Sequence, residues 1–226
     1  MKAAVITFPG SNCDRDAVTT LQKFTNKVDK IWHQENKLAD DLDLIVVPGG
    51  FSYGDYLRSG AMAAISPVMQ EVKRLAQKGV RVLGICNGFQ ILTEAGLLPG
   101  VLLRNKKTKF ICRQVVLRVE NNNTDFTAKY KKNQLVKFPI AHMDGNYFAD
   151  NETLKMLEGE GNVAFRYVDE NGNVTDESNP NGAALNIAGI FNDQKNVLGL
   201  MPHPERAIEE ITGSKDGYWL FESLLR

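Results

Sequence analysis

Cysteine is scarce in this sequence, and so is any residue pattern that holds a metal ion. The 226 residues include only three cysteines, and these lie far apart. Such spacing excludes a disulfide framework and a zinc cluster, and no combination of His, Cys and Asp has the spacing of metal ligands. We therefore expect no metal ion in this chain and a reducing, cytoplasmic setting.

An excess of charge of either sign is also lacking. The 27 Lys and Arg residues balance the 27 Asp and Glu residues, and no basic stripe is present. We therefore expect no nucleic-acid partner. No apolar run approaches the roughly 18 residues of a membrane span, and no signal peptide precedes Met1, so we expect no membrane partner.

Nucleotide-binding glycine motifs are absent as well. There is no G-x-x-x-x-G-K-S/T motif, and Gly159-Glu160-Gly161 lacks the third glycine of a dinucleotide-binding loop. We therefore expect this chain to bind no ATP or dinucleotide cofactor of its own. No linker or repeat divides the sequence, and its length fits a single α/β domain over residues 1–226.

The first half of the sequence alternates between strand and helix patterns. Strands are predicted at 3–8, 28–32, 42–47 and 81–85, and helices at about 14–26, 60–78 and 89–95. This alternation predicts an α/β fold with a doubly wound, mostly parallel, flavodoxin-like sheet. In such sheets the ligand binds beyond the carboxyl ends of the strands.

The second half has a different pattern, in which polar turns containing glycine separate the strands. Strands are predicted at 110–119, 135–141, 163–168, 185–191 and 197–200, and a closing helix at 219–225. The last two strands flank the short turn Asn192-Asp193, which is typical of an antiparallel pair. We therefore expect antiparallel additions to the sheet in this half.

The most informative segment is Gly84-Ile85-Cys86-Asn87-Gly88, between a predicted strand and a predicted helix. It is a cysteine version of the nucleophile elbow, in which glycines let the strand and helix pack closely around a strained residue. The N–H groups of the helix N-terminus favour a thiolate at Cys86. Cys13 also precedes a helix but lacks the glycine bracket, and Cys112 is expected in the core of a strand.

A cysteine nucleophile needs a base, and the base needs a group that orients it. Prolines on both sides of His203 predict an extended segment, in which alternate residues face the same way. Glu205 can therefore hold the imidazole of His203. His142, with Asp144 nearby, is a rival base and a candidate for lining the substrate site. His33 has no supporting pattern.

Three further residues could complete such a site. The N–H of Gly50, at the start of a long loop, could form an oxyanion hole together with the N–H of Asn87. Gln90 lies one helical turn beyond Cys86 and could hydrogen-bond a polar substrate. Without the elbow, a simple turn would explain Gly50 equally well, and a solvated helix face would explain Gln90 better than a substrate contact.

Together these segments resemble the class I, or triad, glutamine amidotransferases. The likeness rests on Gly84-Ile85-Cys86-Asn87-Gly88-Phe89-Gln90 and on Pro202-His203-Pro204-Glu205. Segments 8–14, 49–55, 179–182 and 186–190 are similar to the branch of the family that serves purine biosynthesis. One departure is Ala141-His142-Met143-Asp144-Gly145, where that branch often reads Ala-His-Gly-Glu-Gly.

The resemblance implies a role for each residue: nucleophile for Cys86, base for His203, orienting group for Glu205, oxyanion donors for Gly50 and Asn87, and substrate contact for Gln90. It also implies glutamine as the substrate, with glutamate and ammonia as products. ATP and magnesium would then belong to a synthetase partner that aminates formylglycinamide ribonucleotide. A small third subunit would complete the complex.

Two other interpretations remain open from the sequence. A DJ-1/PfpI-type enzyme also carries a cysteine on an elbow, but it typically has His directly after the nucleophile, where this chain has Asn87. A non-catalytic assembly subunit could keep the same fold, although the intact Cys86, His203 and Glu205 argue against it. Glutamine turnover measured with the partner present would separate the three interpretations.

Overall fold

The structure is a computed structural model that describes residues 1–225. Its strands are β1 (Ala3–Thr7), β2 (Val28–Trp32), β3 (Leu44–Val47), β4 (Arg81–Ile85), β5 (Val101–Leu103), β6 (Ile111–Val119), β7 (Leu135–His142), β8 (Asn146–Phe148), β9 (Val163–Val168), β10 (Ile187–Phe191) and β11 (Val197–Leu200). Its α-helices are α1 (Asp14–Leu21), α2 (Ala61–Ala64), α3 (Pro67–Gln77), α4 (Asn87–Glu94), α5 (Asn151–Gly159) and α6 (Tyr218–Ser223).

Nine of these strands form one sheet in the order β2-β1-β3-β4-β11-β10-β9-β6-β7. The first five strands in this order pair in parallel, and the other four add to them in antiparallel fashion. This arrangement confirms the predicted doubly wound sheet with antiparallel additions in the second half. Strands β5 and β8 form a separate antiparallel pair that the sequence did not predict.

The inner strands of the parallel half, β1, β3, β4 and β11, are buried because they have apolar residues on both faces. All four residues of β3 are buried, and α3 places an apolar stripe of Val68, Val72 and Leu75 in the core. Pro67 begins α3 at a position where its missing N–H costs nothing. The same proline ends the preceding α2, so the predicted helix over 60–78 is in fact two helices.

Two further differences from prediction have local causes. Helix α5 was not predicted, although the Asp150 side chain caps it by accepting a 2.8 Å hydrogen bond from the Thr153 N–H. Cys112, expected in the core, is exposed. Strand β9 pairs only with Val116–Val119 of β6, so the first half of β6 extends beyond β9 and pairs with β7 alone.

Strand register places the predicted site at one edge of the sheet. Ile85 of β4 lies beside Leu200 of β11, and the Cys86 N–H donates a 2.8 Å hydrogen bond to the Leu200 carbonyl. The segments that follow these two strands therefore start next to each other. The loops after β1 and β3 meet at the same edge through a bridge between Ser11 and Gly50.

Within residues 1–225, no helix combines the length and the apolar character needed to cross a membrane.

Glycine at position 88 lets α4 pack directly on β3. A Cβ built there would overlap the carbonyl oxygen of Val47 and lie 2.7 Å from its carbonyl carbon. We expect Gly88→Ala to lower the free energy of unfolding by about 3 kcal/mol or more, because the obstacle is backbone in a buried strand. Urea unfolding measures this loss through the midpoint.

The matched control is Gly159→Ala, at the end of α5. A Cβ there would meet no atom within 4 Å, and alanine favours helix over glycine. We expect the control to unfold at the same urea concentration as the wild type or higher. If both variants kept the wild-type midpoint, close packing at Gly88 would not limit stability.

Candidate active site

Cys86 occupies a strained turn between β4 and α4. Its φ of 52° and ψ of −107° lie where a residue with a side chain is rarely found, and such strain concentrates at functional sites. Gly84 is needed beside it, because a Cβ there would lie 2.8 Å from the Gly88 carbonyl oxygen. The structure therefore contains the predicted elbow, with the thiol buried at the N-terminus of α4.

His203 and Glu205 form a buried pair. His203 Nδ1 lies 2.6 Å from Glu205 Oε1, and both residues are less than 5% exposed. His203 is extended as predicted, but Pro204–Arg206 form a short 3-10 turn instead of continuing the extended segment. The turn still brings the carboxylate to the imidazole. Within residues 1–225, His203 Nε2 has no hydrogen-bond partner, which leaves this nitrogen available on the side away from Glu205.

The charges around His203 favour its protonated form. Burial opposes a positive imidazole, but the Glu205 carboxylate and Cys86 outweigh it and raise the pKa of His203 above its ordinary value. The arrangement can therefore hold a thiolate next to an imidazolium, the state in which a cysteine attacks and a histidine donates a proton.

Cys13 lies close to this pair but has a different chemistry. Burial, followed by the charge of Glu205, raises the pKa of Cys13 to about 12, so it remains a thiol. The Arg206 guanidinium donates to its Sγ at 3.2 Å. Donor atoms of Cys13, His203 and Glu205 lie within 4.8 Å of one another. Because His203 Nδ1 and Glu205 Oε1 already bind each other, this group is poorly suited to hold a metal ion.

His142, the rival base, lies in a neutral environment. Its Nδ1 faces the Asn105 side-chain oxygen at 3.2 Å, and within residues 1–225 no carboxylate forms a hydrogen bond with its ring. Burial, together with the nearby His203, lowers the pKa of His142 to about 4. Asp144 instead accepts from Ser59. The geometry therefore favours His203 as the base and leaves His142 as a neutral residue that lines the pocket.

The two predicted oxyanion donors are both free to act. Within residues 1–225, the backbone N–H groups of Gly50 and Asn87 donate no hydrogen bond. Gly50 has a φ of 139°, and a Cβ there would lie 2.8 Å from the Asn12 nitrogen, so only glycine fits. Gly50 lines the same pocket as Cys86, and Asn87 follows Cys86 directly. Their role in binding an oxyanion remains a prediction.

The pocket in front of Cys86 is almost closed. Its free space of about 20 Å³ is close to what one water molecule needs. Gln90, which lines the pocket as predicted, donates a 2.5 Å hydrogen bond to the Asp144 carbonyl. The Ser59 hydroxyl donates to the Asp144 carboxylate at 2.8 Å. These contacts tie α4 and the loop after β3 to the segment after β7 across the pocket.

The side chain of Asn87 also fastens this loop, which sequence reasoning did not anticipate. Its Oδ1 accepts from the Ser52 N–H at 3.1 Å, and its Nδ2 donates to Gln90 Oε1 at 2.9 Å. Tyr53, Asp55 and Leu57 all have positive φ, so the loop is held in an uncommon conformation. Only the two glycines at 54 and 60 hinted at this in the sequence.

Comparison with known proteins agrees with this geometry. The sequence pattern of the CobB/CobQ-like glutamine amidotransferase domain matches residues 1–219. Phosphoribosylformylglycinamidine synthase subunit PurQ of Novosphingobium aromaticivorans is 60% identical over 99% of this chain and 96% of that protein. The PurQ subunit of Zymomonas mobilis is 59% identical over 100% and 99%. The chain belongs to the PurQ family of glutamine amidotransferases. As a member of this family it is an enzyme, and the DJ-1/PfpI-type interpretation is set aside.

A solved structure gives the same result for the fold of this amidotransferase. A chain in the structure of PurLQS from Thermotoga maritima is 45% identical, with a TM-score of 0.85 over 99% of this chain and 97% of that chain. The likeness therefore includes both the parallel half, which carries Cys86, and the antiparallel additions.

The three cysteines of this amidotransferase should react differently. We expect a diazoketone analogue of glutamine to label Cys86, because this thiol lines the pocket at the N-terminus of α4, with the imidazole of His203 nearby. Cys13 should be spared because it is buried and its pKa is raised to about 12. Peptide mapping by mass spectrometry measures the distribution of the label.

Iodoacetamide is the control reagent, and it should label the exposed Cys112. His203→Ala should slow labelling of Cys86 by the glutamine analogue and leave labelling of Cys112 unchanged. Predominant labelling of Cys13 would instead place the nucleophile in the loop after β1.

Proposed function

We propose that this chain is the glutaminase subunit of phosphoribosylformylglycinamidine synthase. In this role it hydrolyses the side-chain amide of glutamine and supplies ammonia to a synthetase subunit in purine biosynthesis. The observation that carries the proposal is the buried His203–Glu205 pair beside a cysteine held on a strained elbow. Full-length relatives named as PurQ subunits support the particular pathway.

Each residue of the site has a step in the reaction. The Cys86 thiolate attacks the carboxamide carbon of glutamine, and the N–H groups of Gly50 and Asn87 stabilise the oxyanion that forms. Loss of one such donor typically raises a barrier by about 3 kcal/mol. The protonated His203 then gives its proton to the nitrogen as the carbon–nitrogen bond breaks, and ammonia leaves.

The second half of the reaction releases glutamate. A glutamyl thioester remains on Cys86, and His203 is now neutral. His203 takes a proton from a water molecule, which attacks the thioester carbon. The carbon–sulfur bond breaks, and the thiolate and imidazolium are restored. Glu205 keeps the imidazole in the orientation that both proton transfers need.

The ammonia requires a partner because this chain carries no ATP-binding motif. The partner subunit would bind ATP, magnesium and formylglycinamide ribonucleotide and form the amidine, with a small third subunit in the complex. The similar Thermotoga maritima chain comes from a structure of PurLQS, which supports an assembly of several subunits. We place the assembly in the cytoplasm, where purine precursors are made.

Removal of the nucleophile should separate the two activities of the assembled complex. We expect Cys86→Ala to abolish glutamine-dependent amidine synthesis and to leave ammonia-dependent synthesis unchanged, since the elbow serves only to release ammonia. Rates with glutamine and with ammonium salts measure this division. If glutamine-dependent synthesis survived in Cys86→Ala, Cys86 would not be the nucleophile.

The closed pocket predicts that the isolated chain is a poor glutaminase. Glutamine cannot enter a space of about 20 Å³, so the loop after β3 must move first. We expect glutamate release to rise at least tenfold on assembly with the synthetase, which equals about 1.4 kcal/mol of barrier. Release is measured with and without partner, nucleotide and acceptor. Equal rates in all settings would mean that the pocket opens without help.

A further inference from the structure

Two carboxylates in the pocket have no part in the reaction derived above. Asp55 and Asp144 both line the space in front of Cys86. They come from different segments, the loop after β3 and the turn after β7, and the Ser59 hydroxyl donates to Asp144 at 2.8 Å. The two side chains differ in whether a cationic side chain lies beside them.

Asp144 already has a cationic partner, whereas Asp55 has none. The Arg104 guanidinium lies 3.3 Å from Asp144 Oδ1. Within residues 1–225, no Lys, Arg or His pairs with Asp55, and the Asn87 amide donates to its Oδ1 at 3.5 Å. The adjacent Arg58 is occupied by a two-bond contact with Glu94. Asp55 is therefore a partly buried carboxylate that faces a pocket without a counter-charge.

A second group in the pocket, the imidazole of His142, has a ring nitrogen without a hydrogen-bond partner. Asn105 uses its amide nitrogen to bind two carbonyls, so its oxygen accepts from the Gly145 N–H and from His142 Nδ1. Because Nδ1 must then carry the proton, Nε2 of His142 is an acceptor. His142 is 3% exposed, and its Nε2 has no partner within residues 1–225. The pocket thus offers two acceptors, the Nε2 of His142 without a hydrogen-bond partner and the Asp55 carboxylate without a counter-charge.

A ligand that satisfies such a pocket carries hydrogen-bond donors and a positive charge. Glutamine has both at the end remote from its amide, in the α-ammonium group. Building on the glutaminase function proposed above, we propose that the Asp55 carboxylate binds the α-ammonium group of glutamine. It thereby selects glutamine over amides of the same length that lack this group.

The state of Asp55 in the empty pocket agrees with this assignment. Burial, followed by the charge of Asp144, raises the pKa of Asp55 to about 6. Asp144 faces Asp55 from the turn after β7, and the Arg104 guanidinium lies against Asp144. His142 and Cys86 are the other titratable groups that line the pocket. An ammonium ion would relieve the repulsion between the two carboxylates.

The chain offers a conservative variant for the test. Asp55 has a φ of 55°, a conformation that asparagine adopts readily, so Asp55→Asn removes the charge and keeps the backbone. The control is Asp41→Asn, which removes an exposed carboxylate before β3, at the amino end of the strands. Ammonia-dependent synthesis by the assembled complex reports whether either variant folds and assembles.

The experiment compares glutamine with glutaramate, the same amide without the α-amino group, in the assembled complex. We expect Asp55→Asn to raise the KM for glutamine by about tenfold or more, as for a lost hydrogen bond to a charged group. The kcat for glutamine and both constants for glutaramate should change much less. Asp41→Asn should behave as the wild type.

The pH profile of the wild type is a second measurement that needs no variant. Asp55 is charged above its pKa of about 6 and neutral below it. The KM for glutamine should therefore rise as pH falls through 6, while the KM for glutaramate stays level. In Asp55→Asn the rise for glutamine should disappear.

Three outcomes would overturn the proposal in distinguishable ways. Equal losses with glutamine and glutaramate in Asp55→Asn would mean that Asp55 only supports the loop. An unchanged KM for glutamine, or a wild type that uses both amides equally well, would exclude an ammonium contact. A wild-type complex that made product from ammonium salts but released no glutamate from glutamine would overturn the proposed function itself.

Discussion

Parallel pairing between β4 and β11 is the constraint on which the site depends. The two strands lie more than 100 residues apart in the chain, yet Gly84 faces Gly199 and Ile85 faces Leu200. Neither glycine has a side chain to hold α4 away, so the helix packs against β3, β4 and β11 at once. Cys86 and His203 then lie side by side, because each follows the end of its strand within three residues. A shift of register by one residue would separate them.

The two histidines near Cys86 show how surroundings decide the chemistry of one residue type. Both are buried, and burial alone favours the neutral imidazole in each. His203 has a carboxylate on Nδ1, which reverses the effect, whereas His142 has a neutral amide there. One ring can therefore carry a proton and the other offers a lone pair. The difference lies in the neighbours, which are Glu205 and Cys86 at His203 and Asn105 at His142.

Local pattern in the sequence predicted those parts of the molecule that local rules determine. The elbow, the alternation of strands and helices, and the prolines around His203 are signals within a few residues of each other. The closure of the pocket is different, since Asn87 meets Ser52 and Gln90 meets Asp144 only after folding. The sequence pattern also predicted one long helix over 60–78, whereas Pro67 starts a second helix within that range. Cys112 is exposed because β9 covers only the second half of β6, and no local sequence pattern predicts where β9 ends.

The Asn87 side chain has a consequence for how tightly the chain can bind any ligand. One residue both fastens the closed loop, through Ser52, and supplies a backbone N–H next to the nucleophile. Opening is then an equilibrium that precedes binding, and the measured affinity is the intrinsic affinity multiplied by the open fraction. If about 1% of molecules were open, apparent affinity would be about 100-fold weaker than the contacts allow. A partner that favoured the open form would restore that affinity without touching the ligand.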